Sequence, residues 1–139
     1  MKAFKYYNAQ DLKDAVAVLA REEDSRILAG GTDMLGEMKN RYVAPERLVN
    51  LKTVKGLDGI SFGTQGLAIG ALTRLNDIAS NATVKNKYPG LAEAADSVGS
   101  PQLRNMGTLG GNLCQRPRCW YYRGREYNCV RKGGGTCFA

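Results

Sequence analysis

Histidine is absent from this 139-residue sequence, and features of several protein classes are missing with it. Zinc sites that use imidazole ligands are therefore excluded. No apolar run approaches the about 20 residues that a membrane-spanning helix needs. The first residues, M-K-A-F-K-Y-Y-N, lack the apolar region of a signal peptide. We therefore expect a cytoplasmic protein with no membrane span, in which free or metal-bound thiols are favoured over disulfides.

The sequence has enough apolar residues for a core, at 43%, so disorder across the whole chain is not expected. Its length indicates one domain, or two small subdomains that share a ligand. The dinucleotide fingerprint G-x-G-x-x-G is absent, yet seventeen glycines are present and many of them are paired. Tight turns and close backbone approaches are therefore expected.

Positive charge is concentrated at one end of the chain. The last 38 residues hold seven lysines and arginines against one acidic residue, Glu126, whereas residues 1–101 are nearly balanced. A local excess of this kind calls for an anionic neighbour: a pyrophosphate, a thiolate-ligated cluster, an acidic protein or nucleic acid.

Hydrophobic periodicity predicts a βαβ-like first part and a second part with a hairpin and helices. The change falls near residues 52–57. Strands are predicted at 4–7, 26–29 and 47–51, with a hairpin at 59–62 and 67–70. Three helices are predicted. The first has a core stripe of Leu12, Ala15, Val16 and Leu19, the second is capped by Thr73 and carries Leu75, Ile78 and Ala79, and the third covers residues 91–98.

Two glycine pairs follow patterns that suit an anionic ligand. In the first loop, residues 29–33, a strand runs into Gly30-Gly31-Thr32-Asp33 and then into a helical pattern. Such a turn can present free N–H groups to an anion, or it can be a tight connection with Thr32 or Asp33 as the helix cap.

The second loop, residues 108–112, reads Thr108-Leu109-Gly110-Gly111-Asn112. Two such loops on separate subdomains could face one another across a cleft that holds a two-phosphate ligand. Arg104 would supply a cation there, and Asn105 and Asn112 would supply amide groups.

All four cysteines lie in what we call the cysteine segment, residues 113–139: Cys114, Cys119, Cys129 and Cys137. Their spacing, C-x4-C-x9-C-x7-C, is unlike the paired knuckles of structural zinc sites, whereas iron–sulfur sites take looser spacings. An iron–sulfur cluster, a zinc ion and free or redox-active thiols all remain open on the residues alone.

Three stretches together resemble the FAD-binding medium subunit of molybdenum hydroxylases, the xanthine dehydrogenase, carbon monoxide dehydrogenase and aldehyde oxidoreductase family. They are I-L-A-G-G-T-D-M-L-G-E-M-K, A-I-G-A-L-T-R-L-N-D-I and L-R-N-M-G-T-L-G-G-N-L-C-Q-R-P-R-C-W-Y-Y-R. The resemblance covers nearly the whole chain in order. Because members of the family are longer, the chain resembles an N-terminal part, truncated within the cysteine segment.

The resemblance implies an α+β fold with two FAD-binding subdomains, of the vanillyl-alcohol oxidase and carbon monoxide dehydrogenase flavoprotein type. Residues 1–54 would form the first subdomain, and residues 55–139 an incomplete second one. The first loop would hold the FAD pyrophosphate and the second would lie against the pyrophosphate and the flavin. The implied cofactor-binding residues are Leu28, Ala29, Gly30, Gly31, Thr32, Asp33, Arg104, Asn105, Thr108, Gly110, Gly111 and Asn112.

Within that family the cysteine segment is similar to the type that carries an additional [4Fe-4S] cluster. Cys119, Cys129 and Cys137 match best, and Cys114 is either a substitute fourth ligand or a bystander.

The implied function is electron transfer through FAD to an external acceptor, with a molybdopterin-containing large subunit and a [2Fe-2S] small subunit as partners and no catalytic side chain in this chain. Two alternatives stay open: a cofactor-free assembly partner, and a zinc-stabilised nucleic-acid-binding module that uses the aromatic and basic residues of the cysteine segment.

Overall fold

The computed structural model describes all of residues 1–139, and its first part is a three-stranded parallel sheet. The strands β1 (Lys5–Asn8), β2 (Ser25–Leu28) and β3 (Arg47–Asn50) lie in the order β1-β3-β2. Helix α1 (Leu12–Arg21) connects β1 to β2, and α2 (Met34–Lys39) follows β2. Parallel strands need crossovers of this kind, so the predicted βαβ-like pattern is confirmed.

Helix α1 packs on the sheet by a face that agrees with the predicted one only in part. The backbone N–H of Asp14 donates to the Asp11 side chain at 2.8 Å and so caps the helix. Ala15 is buried, but Leu12 and Val16 are 51% and 62% exposed. Leu19 packs beside Ala15 as predicted and is joined there by Val18, because positions i, i+3 and i+4 share one helix face. The predicted core stripe is therefore wrong for Leu12 and Val16.

The second part begins with an antiparallel hairpin, β4 (Ile60–Gly63) and β5 (Gly66–Ile69), as the sequence predicts. Helices α3 (Leu75–Ser80), α4 (Ala82–Lys87) and α5 (Pro89–Asp96) follow. Short helices complete the chain: α6 (Pro101–Arg104), α7 (Leu109–Leu113), α8 (Trp120–Arg123) and a 3-10 turn at Val130–Lys132.

Three separate apolar clusters support these elements. One, on α3 to α5, consists of Ile78, Ala79, Val84, Ala92 and Ala95. A second joins α1 to the sheet through Ala9, Ala15, Val49 and Val54, and a third packs α2 on the sheet through Leu28, Met38 and Leu48. The division into subdomains at residue 54 stays a prediction.

Thr73 has a different role from the predicted helix cap. Helix α3 begins at Leu75 with Arg74 in the capping position, whereas Thr73 is buried. Its hydroxyl donates to the Gly59 carbonyl oxygen at 2.9 Å and accepts from the Gly59 N–H at 3.0 Å. Thr73 therefore ties the start of the hairpin to the α3 region. None of the helices has the length and apolar character needed to cross a membrane.

Candidate functional site

The two glycine loops predicted from the sequence are brought together by a backbone contact. A Cβ atom placed on Gly30, in the first loop, would lie 1.9 Å from the carbonyl oxygen of Met106 and 2.8 Å from its carbonyl carbon. Those are backbone atoms, which cannot swing aside as a flexible side chain can. Met106 comes two residues before the second loop, so the contact requires glycine at position 30.

The first loop exposes unpaired backbone donors. Gly31 adopts the left-handed conformation, with φ of 77°, and turns the chain from β2 toward α2. The N–H groups of four consecutive residues, from Gly30 to Asp33, donate to no backbone acceptor in the chain. Backbone donors need a partner, and a run of them in a turn can serve an anion.

The second loop is held rigidly by hydrogen bonds. The N–H groups of Leu109 and Gly110 donate to the carbonyl oxygens of Thr73 and Ala71, at 2.9 Å and 2.8 Å. The buried Thr108 hydroxyl accepts from the Gly111 N–H at 3.3 Å and caps α7. These bonds join the second loop to the chain between the hairpin and α3.

The two adjacent glycines of the second loop face different surroundings. A Cβ on Gly110 would lie 3.0 Å from the Ala71 carbonyl oxygen and 3.1 Å from the Ala71 Cβ. At the exposed Gly111 it would meet only the Thr108 Oγ1, at 3.0 Å, and otherwise open space. Asn112 is half-buried beside it. Gly110 therefore serves packing, whereas Gly111 lies at an exposed surface, and its role in cofactor binding stays a prediction.

Leu28 and Ala29 lead into the first loop, and their role in cofactor binding stays a prediction. The Leu28 side chain is buried in the cluster with Met38 and Leu48. The Ala29 carbonyl oxygen accepts from the Lys52 Nζ at 3.0 Å. Lys52 follows β3, so its ammonium group is a cation beside the first loop that the sequence analysis had not singled out.

Arg104 and Asn105 occupy the end of α6. The Arg104 guanidinium pairs with Asp96 at 3.1 Å and donates to the Val98 carbonyl oxygen at 3.2 Å, while its Nε is buried without a partner. Asn105 is exposed at the helix C-terminus. Arg104 is thus engaged within the chain, and its predicted contact with a ligand stays a prediction.

An ion-pair network behind the first loop was not anticipated from the sequence. Asp33 occupies the N-cap position of α2, but its side chain makes no capping bond. Its Oδ1 lies 3.5 Å from terminal nitrogens of both Arg118 and Arg123. The same Arg123 nitrogen lies 3.3 Å from Glu37 Oε1. The i, i+4 spacing of the two acids was visible in the sequence, but their distant partners were not.

Glu37 is the more deeply buried acid of this network. Its side chain is 9% exposed, and burial raises the pKa of the carboxyl above its ordinary value. The nearby charge of Asp33 raises this pKa further, whereas Arg123, Arg116 and Arg118 act in the lowering direction.

The four thiols are free and do not converge. Cys129 is buried, Cys119 is half-buried, and Cys114 and Cys137 are exposed. No three His, Cys, Asp or Glu side chains come together as a metal-binding group. The fold of the cysteine segment depends instead on an aromatic cluster of Tyr121, Tyr127 and Phe138, whose ring centres lie 4.9 to 5.8 Å apart.

Solved structures define the class of protein to which this fold and these loops belong. The chain matches carbon monoxide dehydrogenase from Hydrogenophaga pseudoflava with a TM-score of 0.76 and 39% identity, over 79% of this chain and 39% of that one. It matches quinoline 2-oxidoreductase from Pseudomonas putida 86 with the same TM-score and 36% identity, over 81% of this chain and 40% of that one. The class is the mixed α/β FAD-binding fold of the molybdenum hydroxylases, which confirms the fold expected from the resemblance.

The chain belongs to the family described as the FAD binding domain in molybdopterin dehydrogenase, which matches residues 2–119. It is 37% identical over 110 residues to the glyceraldehyde dehydrogenase medium chain of Sulfolobus acidocaldarius, covering 79% of this chain and 39% of that relative. It is 36% identical over 137 residues to the aldehyde oxidoreductase FAD-binding subunit PaoB of Escherichia coli, covering 98% of this chain and 43% of that relative. The chain thus spans about two-fifths of the length of these relatives, and the family is that of an FAD-binding domain rather than of a nucleic-acid-binding module.

Replacing Gly30 by alanine should destabilise the fold. The new methyl group would overlap the Met106 carbonyl group, so we expect a loss of about 1–3 kcal/mol in the free energy of unfolding. Denaturant unfolding followed by circular dichroism measures this loss. Gly36→Ala is the matched control, because nothing lies within 4 Å of its added Cβ. Equal stability of the two variants would contradict the tight loop contact.

Glu37→Gln should change the pH dependence of stability in one direction. Because the folded-state pKa of Glu37 is raised, its contribution is fully present below the unfolded pKa and is lost as pH rises through the folded pKa. Glutamine does not titrate. The difference in unfolding free energy between the two proteins should therefore shift in favour of the variant as the pH rises above the ordinary pKa of glutamate, about 4.3. A shift in favour of the wild type would mean that the arginines lower the pKa instead.

Proposed function

We propose that this chain binds FAD at the two glycine loops and serves as an electron-transfer part of a molybdenum-containing hydroxylase or dehydrogenase. The observation that carries the proposal is the run of four N–H groups, from Gly30 to Asp33, that donate to no backbone acceptor, in a loop whose Gly30 contacts Met106 just before the second loop. Relatives named as FAD-binding subunits of aldehyde oxidoreductase and xanthine dehydrogenase support it.

The geometry of the two loops fits a pyrophosphate and the edge of a flavin. Unpaired N–H groups in a turn are suited to phosphate oxygens, and Lys52 adds a positive charge next to Ala29. The open space at Gly111 is what a cofactor lying close to the backbone requires, because any larger side chain would fill it.

The chain needs no catalytic side chain for this function. When bound, FAD supplies the redox chemistry that carries electrons to an external acceptor. The residues of this chain bind and orient it. The N–H groups of Gly111 and Gly110, which donate to Thr108 Oγ1 and the Ala71 carbonyl oxygen, keep the binding surface in place. The partners proposed are a molybdopterin-containing large subunit, which would select the substrate, and a [2Fe-2S] small subunit.

A [4Fe-4S] cluster in the cysteine segment is a second proposal, and it depends on the sequence rather than on the geometry. The match to PaoB covers 98% of the chain and so extends into this segment, whereas the family match ends at residue 119. Cys119, Cys129 and Cys137, with Cys114 as the least certain, would be the ligands. As arranged in the structure they do not fit a cluster, because no three of them converge. Binding would require the segment to rearrange.

Gly111→Val should abolish flavin retention without unfolding the protein. The valine side chain would occupy the open surface of the second loop, where we place the cofactor. The measurement is the flavin released by denaturing the purified variant, alongside its circular dichroism spectrum. Gly90→Val is the matched control, since Gly90 is also a helical glycine with nothing within 4 Å of an added Cβ. Unchanged flavin content in the Gly111 variant would refute the placement of FAD.

Cys129→Ser should remove bound iron and leave FAD in place. If Cys129 is a cluster ligand, losing its thiolate should release the cluster, whereas the glycine loops are unaltered. Iron and flavin are assayed on protein purified without oxygen, with Cys114→Ser as the comparison at the least certain ligand. Equal iron in wild type and the Cys129 variant would show that Cys129 is not a ligand, and an iron-free wild type would refute the cluster itself.

A further inference from the structure

Arg123 is the residue through which the cysteine segment contacts the first loop region. Its Nε donates to the Pro117 carbonyl oxygen at 3.1 Å, and its guanidinium lies 5.7 Å from the centre of the Tyr42 ring. Its side chain is 17% exposed. The guanidinium also faces Asp33 and Glu37. Arg123 therefore connects the cysteine segment both to helix α2 and to Tyr42, which follows that helix.

Asp33 places a negative charge beside the loop that would bind phosphates. It is the last of the four residues with unpaired N–H groups, and its carboxylate does not cap α2. Glu37 adds a second carboxylate one helical turn further on. Two anions at this position would oppose the binding of a pyrophosphate, because like charges repel most strongly where water is partly excluded.

Two arginines of the cysteine segment lie against these acids. Arg118, with 70% of its side chain exposed, and the nearly buried Arg123 both approach Asp33 Oδ1 to 3.5 Å. Lys52 is a further cation beside the first loop, but it bonds to the Ala29 carbonyl oxygen rather than to either acid. Arg116 also lies near enough to Glu37 to act on its charge, but it forms no ion pair with either acid. The neutralisation of Asp33 therefore comes from residues that lie some 90 positions away in the sequence.

We infer that Arg118 and Arg123 are positioning residues of the cofactor site: by neutralising Asp33 and Glu37 they let the first loop bind an anionic pyrophosphate. The cysteine segment thereby controls the affinity of the loop through charge, without touching the cofactor. This inference rests on the proposed FAD-binding function, and the two are distinguished by the measurements below.

The test is a titration of FAD-free protein with FAD, followed by flavin fluorescence, for wild type and the Arg118→Met/Arg123→Met double variant. The dissociation constant should rise roughly tenfold in the variant. Raising the ionic strength should reduce this difference, because salt screens the partly exposed charges. Arg131→Met is the control from the same segment, since Arg131 is exposed and forms none of the ion pairs of the structure.

Rescue by a second substitution separates charge from packing. Asp33→Asn in the double variant removes the uncompensated carboxylate but restores no lost contact. Recovery of most of the FAD affinity would support the inference, whereas no recovery would show that the arginines act only by holding the segment in place. If the double variant unfolds, Arg118→Met with and without Asp33→Asn provides the same test, because Arg118 is largely exposed.

The remaining outcomes are also decisive. A wild type that binds FAD, together with an Arg118/Arg123 variant of equal affinity, overturns this inference and leaves the proposed function intact. A wild type that binds neither FAD nor inorganic pyrophosphate overturns both.

Discussion

The backbone contact between Gly30 and Met106 is the constraint on which the rest of the structure depends. The loop at the carboxyl end of β2 lies against the segment that leads into α7, so closely that residue 30 has no space for a Cβ atom. The N–H of Leu75 donates to the Gly107 carbonyl oxygen at 3.0 Å on the other side of that segment. The parallel sheet and the α3–α5 helices have separate apolar clusters, so this polar backbone junction is what brings their loops into one site.

Glycine has three distinct uses at this junction. At Gly30 it permits two backbones to touch, and at Gly31 it permits the left-handed turn that follows the strand. At Gly111 neither reason applies, because the backbone is helical and an added Cβ would meet only the Thr108 Oγ1, at 3.0 Å, with no backbone atom near it. We attribute this glycine to the proposed cofactor site, because a larger side chain would fill the exposed space there.

Some of the positive charges of the cysteine segment are paired with acidic residues of the same chain. Its excess of arginine suggests an external anion when only the sequence is considered, yet Arg118 and Arg123 face Asp33, and Arg123 also faces Glu37. Arg125 donates to the Arg41 carbonyl oxygen in addition. Two of the six cationic side chains of the cysteine segment therefore pair with acids of the first loop and its helix. The electrostatic field at the proposed phosphate site is thus a joint property of both ends of the sequence.

The sequence by itself determined the elements whose signals are local: the parallel-strand pattern, the hairpin between residues 60 and 69, and the two glycine loops with their family. The sequence did not predict correctly which apolar side chains are buried, because burial depends on which element packs against each helix face. Leu12 and Val16 were expected in the core, but the sheet covers only the face centred on Ala15. Only the tertiary structure decided the contact of Gly30 with Met106 and the pairing of Asp33 with Arg118 and Arg123. The reason is physical, because backbone proximity and ion pairing are set by distances in space, and spacing along the chain does not encode them.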